Sequence, residues 1–330
     1  METGMKIGVT GAAGFIGGHV LSAVLNAGMR PVAVVRPGTD RARLSVPEAE
    51  IRSADLLDEG ALARAFEGLD GVIHLAALTR ARNESEFLRA NADGVARAAR
   101  AFESVRPDGT FVYVSSLAAA GPSSAEAAVD EEARERPVTP YGRSKLAGEA
   151  ALRETVRTLD WCIVRPPIVY GPGERDMLEM FRMATRGVVP VTGPTGARYS
   201  IVHAEDLARG ILAAFSRRSR TSRVFNIAEP TAYTWPEIAA RIGRAVGRDP
   251  WCPRIPTPLA WVIAAGGSLV KPFMTRPPLV TLDKIPEIVA PGWVCAVDRA
   301  RRELGFETTI TLDEGARGTA AWYRERGWIR

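Results

Sequence analysis

Lysine is almost missing from this 330-residue chain, with four residues against thirty-nine arginines. Cysteine and histidine are also scarce, three of each. Cys162, Cys252 and Cys295 are odd in number and widely spaced, so neither a disulfide framework nor a zinc site organises the fold, and a reducing, cytoplasmic setting is expected. His19, His74 and His203 are too dispersed for a metal triad, and no metal is expected. The net charge of +5 is spread through helical stretches without a basic block or a stripe interleaved with aromatics, so no nucleic-acid partner is expected. The N-terminus lacks an apolar secretory core, because glycines interrupt it by Gly11. No run reaches the roughly 20 apolar residues that a bilayer crossing needs. The nearest, "PLAWVIAAGGSLVKPF" at 258 to 273, is broken by Gly266 and Gly267. It reads as a core helix, as a peripheral contact with a membrane surface, or as the lining of a lipophilic pocket.

What is present is a 46% apolar composition arranged in short runs. "KIGVT", "PVAVVR", "GVIHLAA" and "TFVYVSS" alternate with helix-like spacing as far as residue 115, and "WCIVR" at 161 to 165 continues the series. Strands alternating with helices imply right-handed crossovers and a parallel sheet covered on both faces. The fold expected is α/β, a doubly wound parallel sheet of the Rossmann kind with a smaller C-terminal substrate lobe. Residues 1–170 and a return at 201–228, with "RVFNIA" as last strand, form the dinucleotide-binding part. Residues 171–200 and 229–330, rich in proline and glycine clusters, form the lobe.

"VTGAAGFIGGHV" follows the first strand and opens a helix, with Gly11, Gly14 and Gly17 spaced three apart. The first glycine allows a tight turn, the second close approach of a pyrophosphate, and the third close helix packing, with the helix N-terminus facing the anion. The residues of this loop, Gly11, Ala13, Gly14, Phe15 and Ile16, are the candidate phosphate site. The second strand ends "AVVRPGTDRARL", with Arg36 where a carboxylate would select a ribose 2′-hydroxyl; an arginine there accommodates a 2′-phosphate, so NADP(H) is expected over NAD(H). Asp40 remains able to reach back. Asp55 and Leu56 of "ADLLD" are candidates for the adenine, while Asp58 suits a helix N-cap.

Tyr141 and Lys145 stand at i and i+4, on one face of a helix, a coincidence expected only about 0.07 times in a chain this poor in both. A tyrosine with pKa near 10 is a poor base at neutral pH unless neighbouring positive charge favours its phenolate; it can then exchange a proton with an alcohol or ketone. Ser115 and Ser116 end a strand, where open α/β sheets bind ligands.

Together "TGAAGFIG", "ADLLD", "HLAA", "NADG", "VSS", "YGRSK", "RPPIVYGPG" and "VHAEDLA" resemble the extended short-chain dehydrogenase/reductases, also called the NAD-dependent epimerase/dehydratase family. That resemblance implies Tyr141 as general acid/base, Lys145 as the residue tuning it and binding the nicotinamide ribose, and Ser116 as the donor to the reacting oxygen. It also implies Ser115 facing the cofactor, Leu75, Ala76 and Ala77 beneath it, Asn91 as a supporting residue nearby, and Pro166 to Ile168 on the nicotinamide. Family members often dimerise through the tyrosine helix, and a homodimer is expected on that likeness.

Dehydratases of the family follow the catalytic position with Asp-Glu; here "LAAAG" follows Ser116, which argues against elimination. The closing third is similar to the 3β-hydroxysteroid dehydrogenase and dihydroflavonol reductase-like branch. The expected activity is an oxidoreductase interconverting a secondary alcohol and a ketone on a steroid-, polyketide- or flavonoid-like small molecule. An NDP-sugar 4-epimerase with tightly bound NAD and a non-catalytic cofactor-binding protein are the alternatives. His203, before a helix start, reads as packed or capping rather than as a ligand.

Overall fold

The apolar runs are strands in the computed structural model, which describes residues 4–124, 127–217, 224–270 and 281–330. They are β1 (Lys6–Thr10), β2 (Arg30–Val35), β3 (Glu50–Ser53), β4 (Gly71–His74), β5 (Thr110–Val114), β6 (Asp160–Arg165), β7 (Ile168–Tyr170), β8 (Ile201–His203) and β9 (Val224–Asn226). Seven of them form one parallel sheet in the order β3-β2-β1-β4-β5-β6-β9. The order reverses between β1 and β4, which opens a crevice at the C-terminal ends of the strands.

The helices are α1 (Phe15–Asn26), α2 (Glu59–Phe66), α3 (Glu84–Leu88), α4 (Gly94–Val105), α5 (Leu117–Ala120), α6 (Pro140–Thr155), α7 (Leu178–Thr185), α8 (Ala204–Phe215), α9 (Trp235–Val246), α10 (Thr257–Val270), α11 (Ile285–Ile288), α12 (Asp298–Leu304) and α13 (Leu312–Glu325). Val20, Leu21 and Val24 of α1 and Leu207, Ile211 and Phe215 of α8 cover one sheet face, packing with Ile7, Val9, Ile73 and Val112. Leu62 and Phe66 of α2, Phe102 of α4 and Leu152 of α6 cover the other, with Val32, Val72, Phe111 and Ile163. Burial on both faces explains why the central strands are continuous apolar runs.

β3 lies outside the runs read from the sequence. It is an edge strand, and its Glu50 is paired with Lys6 at 3.4 Å and Arg52 at 2.8 Å. Charge on an edge blunts pairing with other chains, and it also hides the strand from an apolar pattern.

β7 and β8 form a separate two-stranded sheet, so α8 and β9 make the return to the main one. α7, α9 and α13 pack around Phe181, Ile238, Ile242, Ala316 and Tyr323. Capping boxes start two of them, with Thr234 and Glu237 on α9 and Thr311 and Glu314 on α13. Among the described residues no helix is long and apolar enough to cross a membrane. Residues 271–273 of the 258 to 273 run, and the 272 to 278 prolines, lie outside the described residues.

Candidate active site

The glycine loop brings three main-chain segments into contact. Gly11 adopts φ +70°, and a Cβ there would sit 2.8 Å from the Ala76 nitrogen. A Cβ on Gly17 would meet the Gly11 carbonyl at 2.3 Å, so α1 starts tight against the turn. Gly14 caps α1 without a side-chain partner, and no acidic residue occupies the first turn. The N–H groups of Phe15 and Ile16 therefore open a bare positive helix end onto the crevice, a cradle that suits a pyrophosphate.

β5 ends at Val114, and the extended chain sends consecutive side chains to opposite sides. Ser116 faces the cavity, where its oxygen caps α5 by accepting from the Ala118 nitrogen at 3.1 Å. Its proton remains for the Tyr141 phenol, with which the hydroxyl is hydrogen-bonded. Thr139 caps α6 through the Gly142 nitrogen at 3.1 Å, and Pro140 occupies the first turn, which sets Tyr141 one residue into the helix. Burial pushes the phenol up to about 12, while the Ser116 hydroxyl pulls it down. Tyr141 is thus a proton donor at rest.

Lys145 shares that helix face, yet its ammonium bonds the Val114 carbonyl at 2.7 Å rather than the phenol, and lies 4.4 Å from the Tyr113 ring centroid. Burial lowers its pKa to about 7, partly opposed by Glu149. Asn91 clamps the neighbourhood: its amide exchanges two hydrogen bonds with Leu78 and donates to the Ser144 hydroxyl at 2.9 Å.

Ser115, expected to face the cofactor, is engaged by a second network. It points away from the cavity side taken by Ser116, is buried, and donates to Glu149 Oε1 at 2.7 Å. Glu149 in turn receives Arg165 through two bonds of 2.8 and 2.6 Å, and Arg165 also reaches Glu135 at 3.1 Å. Sequence reasoning missed this network. Its available signals were a glutamate four residues after Lys145 on the same face and an arginine closing the apolar run of β6.

Of the other expected residues, Arg36 is exposed immediately after β2. Asp40 is occupied in its own loop, accepting from the Ala42 nitrogen at 3.0 Å. Asp55 is exposed and accepts from the Leu57 nitrogen at 2.8 Å, Leu56 packs partly buried against the sheet, and Asp58 caps α2 through Ala61 at 2.9 Å. Leu75, Ala76 and Ala77 follow β4 half-buried, with the Ala76 nitrogen donating to the Thr10 hydroxyl at 3.3 Å. Pro166 is buried, with its carbonyl accepting from Leu117 at 2.8 Å; Pro167 and Ile168 line the cavity instead. His203 caps α8 and packs edge-on to Tyr170, and His74 is buried against Thr10, its pKa lowered to about 3 by burial and by Lys145. No cluster of potential metal ligands occurs among the described residues.

Above Ser116 and Tyr141 lies a cavity of about 540 Å³ walled by Phe87, Met177, Met180, Tyr199, Trp235 and Trp293. Its described lining holds four carboxylates, Glu174, Asp176, Asp283 and Glu287, against two cations, Arg80 and Lys284. Both cations are paired already: Arg80 with Asp176, and Lys284 with Glu287 at 3.0 Å. The described lining is greasy and has no excess positive charge.

A family model for the NAD dependent epimerase/dehydratase family matches residues 7–228. A ceramide reductase from Caulobacter vibrioides is 33% identical over 329 residues, spanning 98% of this chain and 96% of its own. Among solved structures, MoeE5 in complex with UDP-glucuronic acid and NAD matches at 26% identity with a TM-score of 0.75, over 97% of this chain and 99% of that one. UDP-glucose 4-epimerase from Thermotoga maritima, solved with UDP-glucose, matches with a TM-score of 0.77 at 22% identity over 98% and 99% of the two chains, a likeness of fold alone.

Proposed function

The chain belongs to the NAD-dependent epimerase/dehydratase family, and we propose that within it the protein reduces a ketone on a long-chain, ceramide-like lipid to a secondary alcohol. The observation that carries this reading is the charge and polarity of the cavity. A nucleotide-sugar substrate brings two phosphate charges, which the described lining would meet with four carboxylates and two neutralised cations. A lipid with a neutral polar head meets methionine and aromatic walls and a few hydrogen-bonding groups. The ceramide reductase likeness supports the same class.

Gly11, Gly14 and the first turn of α1 would hold the pyrophosphate of a nicotinamide dinucleotide, and Lys145 and Ala76 would lie along it. When bound in reduced form, that cofactor supplies the hydride. The chain's own residues manage the oxygen. Ser116 and Tyr141 together donate hydrogen bonds to the substrate carbonyl. Tyr141, protonated at rest, breaks its O–H bond as the alcohol O–H forms. The Lys145 charge buried beneath the site favours the phenolate left behind.

For the cofactor, NADPH is the proposed partner. Arg36 stands exposed at the end of β2, and the nearby Asp40 is engaged by Ala42, which leaves the cation to meet a 2′-phosphate.

The test is turnover of purified protein with NADPH and a long-chain 3-keto-ceramide in mixed micelles, beside UDP-glucose with and without NAD. NADPH oxidation dependent on the ketolipid is expected. Epimerisation of the nucleotide sugar by protein that retains tightly held NAD would overturn the reading.

A further inference from the structure

α8 and α9 turn their branched side chains inward, as Leu207, Ile211, Ile238 and Ile242 show. α10 does the reverse. It carries no charged residue, yet Leu259, Trp261, Val262 and Ile263 are 50%, 47%, 67% and 47% exposed, while Ala260 and Ala264 face inward. Fourteen residues make about 21 Å of helix, too short for the ~30 Å hydrocarbon core. A helix of this length and polarity is normally either core or interfacial, and its exposure removes the first option.

Position ties α10 to the cavity. The Leu282 nitrogen donates to Ser268 Oγ at 2.8 Å, which fastens the C-terminal half of α10 to the segment bearing Asp283, Lys284 and Glu287. On the other side, the chain entering α10 pairs with the opposite cavity wall, through Val191 N to Pro253 O at 3.0 Å and Ile255 N to Val191 O at 2.8 Å. That entering stretch begins at Trp251, itself 70% exposed. Both flanks of the helix are continuous with walls of the substrate cavity.

A second copy of this chain is the poorer occupant. The four side chains expose on the order of 400 Å² of apolar surface, half of the ~800 Å² that each partner of a stable dimer contributes. Charge points to lipid instead. From Pro250 to Val270 the described chain carries Arg254 and no carboxylate, the sign that anionic headgroups attract.

We propose that α10 docks the protein on an anionic bilayer surface, with Leu259, Trp261, Val262 and Ile263 among the upper acyl chains, so that the cavity takes its substrate from the membrane. This rests on the lipid-ketone reading, but binding is measured without turnover. The full chain with NADPH is sedimented with phosphatidylglycerol/phosphatidylcholine vesicles, and tryptophan emission is followed with brominated lipids.

Wild-type protein is expected to sediment with anionic vesicles and to be quenched. Val262→Glu with Ile263→Glu should lower vesicle affinity at least tenfold while NADPH binding is unchanged; if that variant fails to fold, the milder Val262→Ser and the wild-type quenching decide. Absence of both vesicle binding and quenching overturns the proposal, as does a dimer that Val262→Glu dissociates in a protein that ignores vesicles. Ketolipid reduction in micelles without vesicle binding would sink docking alone, and vesicle binding without ketolipid reduction would sink the activity alone.

Discussion

Glu149 and Arg165 face each other through bonds of 2.8 and 2.6 Å with both side chains wholly out of solvent, one residue on α6 and the other closing β6. The pair fastens the helix that carries Tyr141 and Lys145 to the strand that leads into Pro167 and Ile168. Removing Glu149 leaves the buried Arg165 with only the partly exposed Glu135 at 3.1 Å, and breaking a buried pair costs up to about 3–5 kcal/mol. Glu149→Gln is expected to lower the unfolding free energy by that order in urea denaturation. A Glu149→Leu/Arg165→Met double variant should recover much of it.

Lys145 carries a pH signature. Its folded pKa is depressed to about 7 by burial, below the ordinary lysine value near 10.4. Between those values the unfolded chain binds more protons, so this residue's contribution to stability rises with pH through that window. Below about 7 both states are protonated and the cost of burying the charge is complete. Lys145→Met removes that cost, so its thermal stability relative to wild type should be most favourable at pH 6.5 and decline toward pH 10. A difference in Tm that does not change over this range would contradict the assignment.

Gly142 sets the approach of the tyrosine helix. A Cβ there would lie 2.4 Å from the Ala118 carbonyl oxygen, on the short helix that begins after Ser116. Gly142→Ala should push the start of α6 off α5, with a stability loss of about 1–3 kcal/mol from overpacking. Turnover should fall more than NADPH binding does, because Ser116 and Tyr141 are the pair being separated.

Tyr141→Phe keeps the ring against Phe87, at a centroid distance of 6.0 Å, and removes the hydroxyl with its exchangeable proton and its hydrogen bond to Ser116. Ketone reduction should fall about 10²- to 10⁴-fold, the ordinary worth of a positioned acid, with circular dichroism and NADPH affinity little altered. Retained turnover would assign the proton to another group.

Arg36→Ala should weaken NADPH binding about ten- to a hundredfold, the range of a charge-assisted contact, while NADH binding stays nearly unchanged. Fluorescence titration with both cofactors reads the ratio directly.

Much of this molecule was legible in the sequence because local chemistry dictated it. The glycine loop was readable since only glycine fits the close approach of Gly11 to Ala76, and the tyrosine helix since Tyr141 and Lys145 stand four residues apart. The central strands were readable because burial on both faces leaves little but apolar residues. β3 was not, since a strand at an edge keeps charges that break the pattern. The Ser115 bond to Glu149 was not readable for a related reason: adjacent residues in an extended chain point oppositely, and the sequence does not say what lies on each side.

By itself, then, the sequence determined the doubly wound sheet, its glycine turn and the helix that puts Tyr141 and Lys145 on one face, all of which follow from residue spacing within one or two elements. Only the tertiary structure decided that Glu149 meets Arg165, that the Lys145 ammonium bonds Val114, that the cavity cations are neutralised, and that α10 turns its apolar face outward. Those relations join residues distant in the chain, or depend on which face of a helix finds a neighbour, and packing rather than local preference selects them.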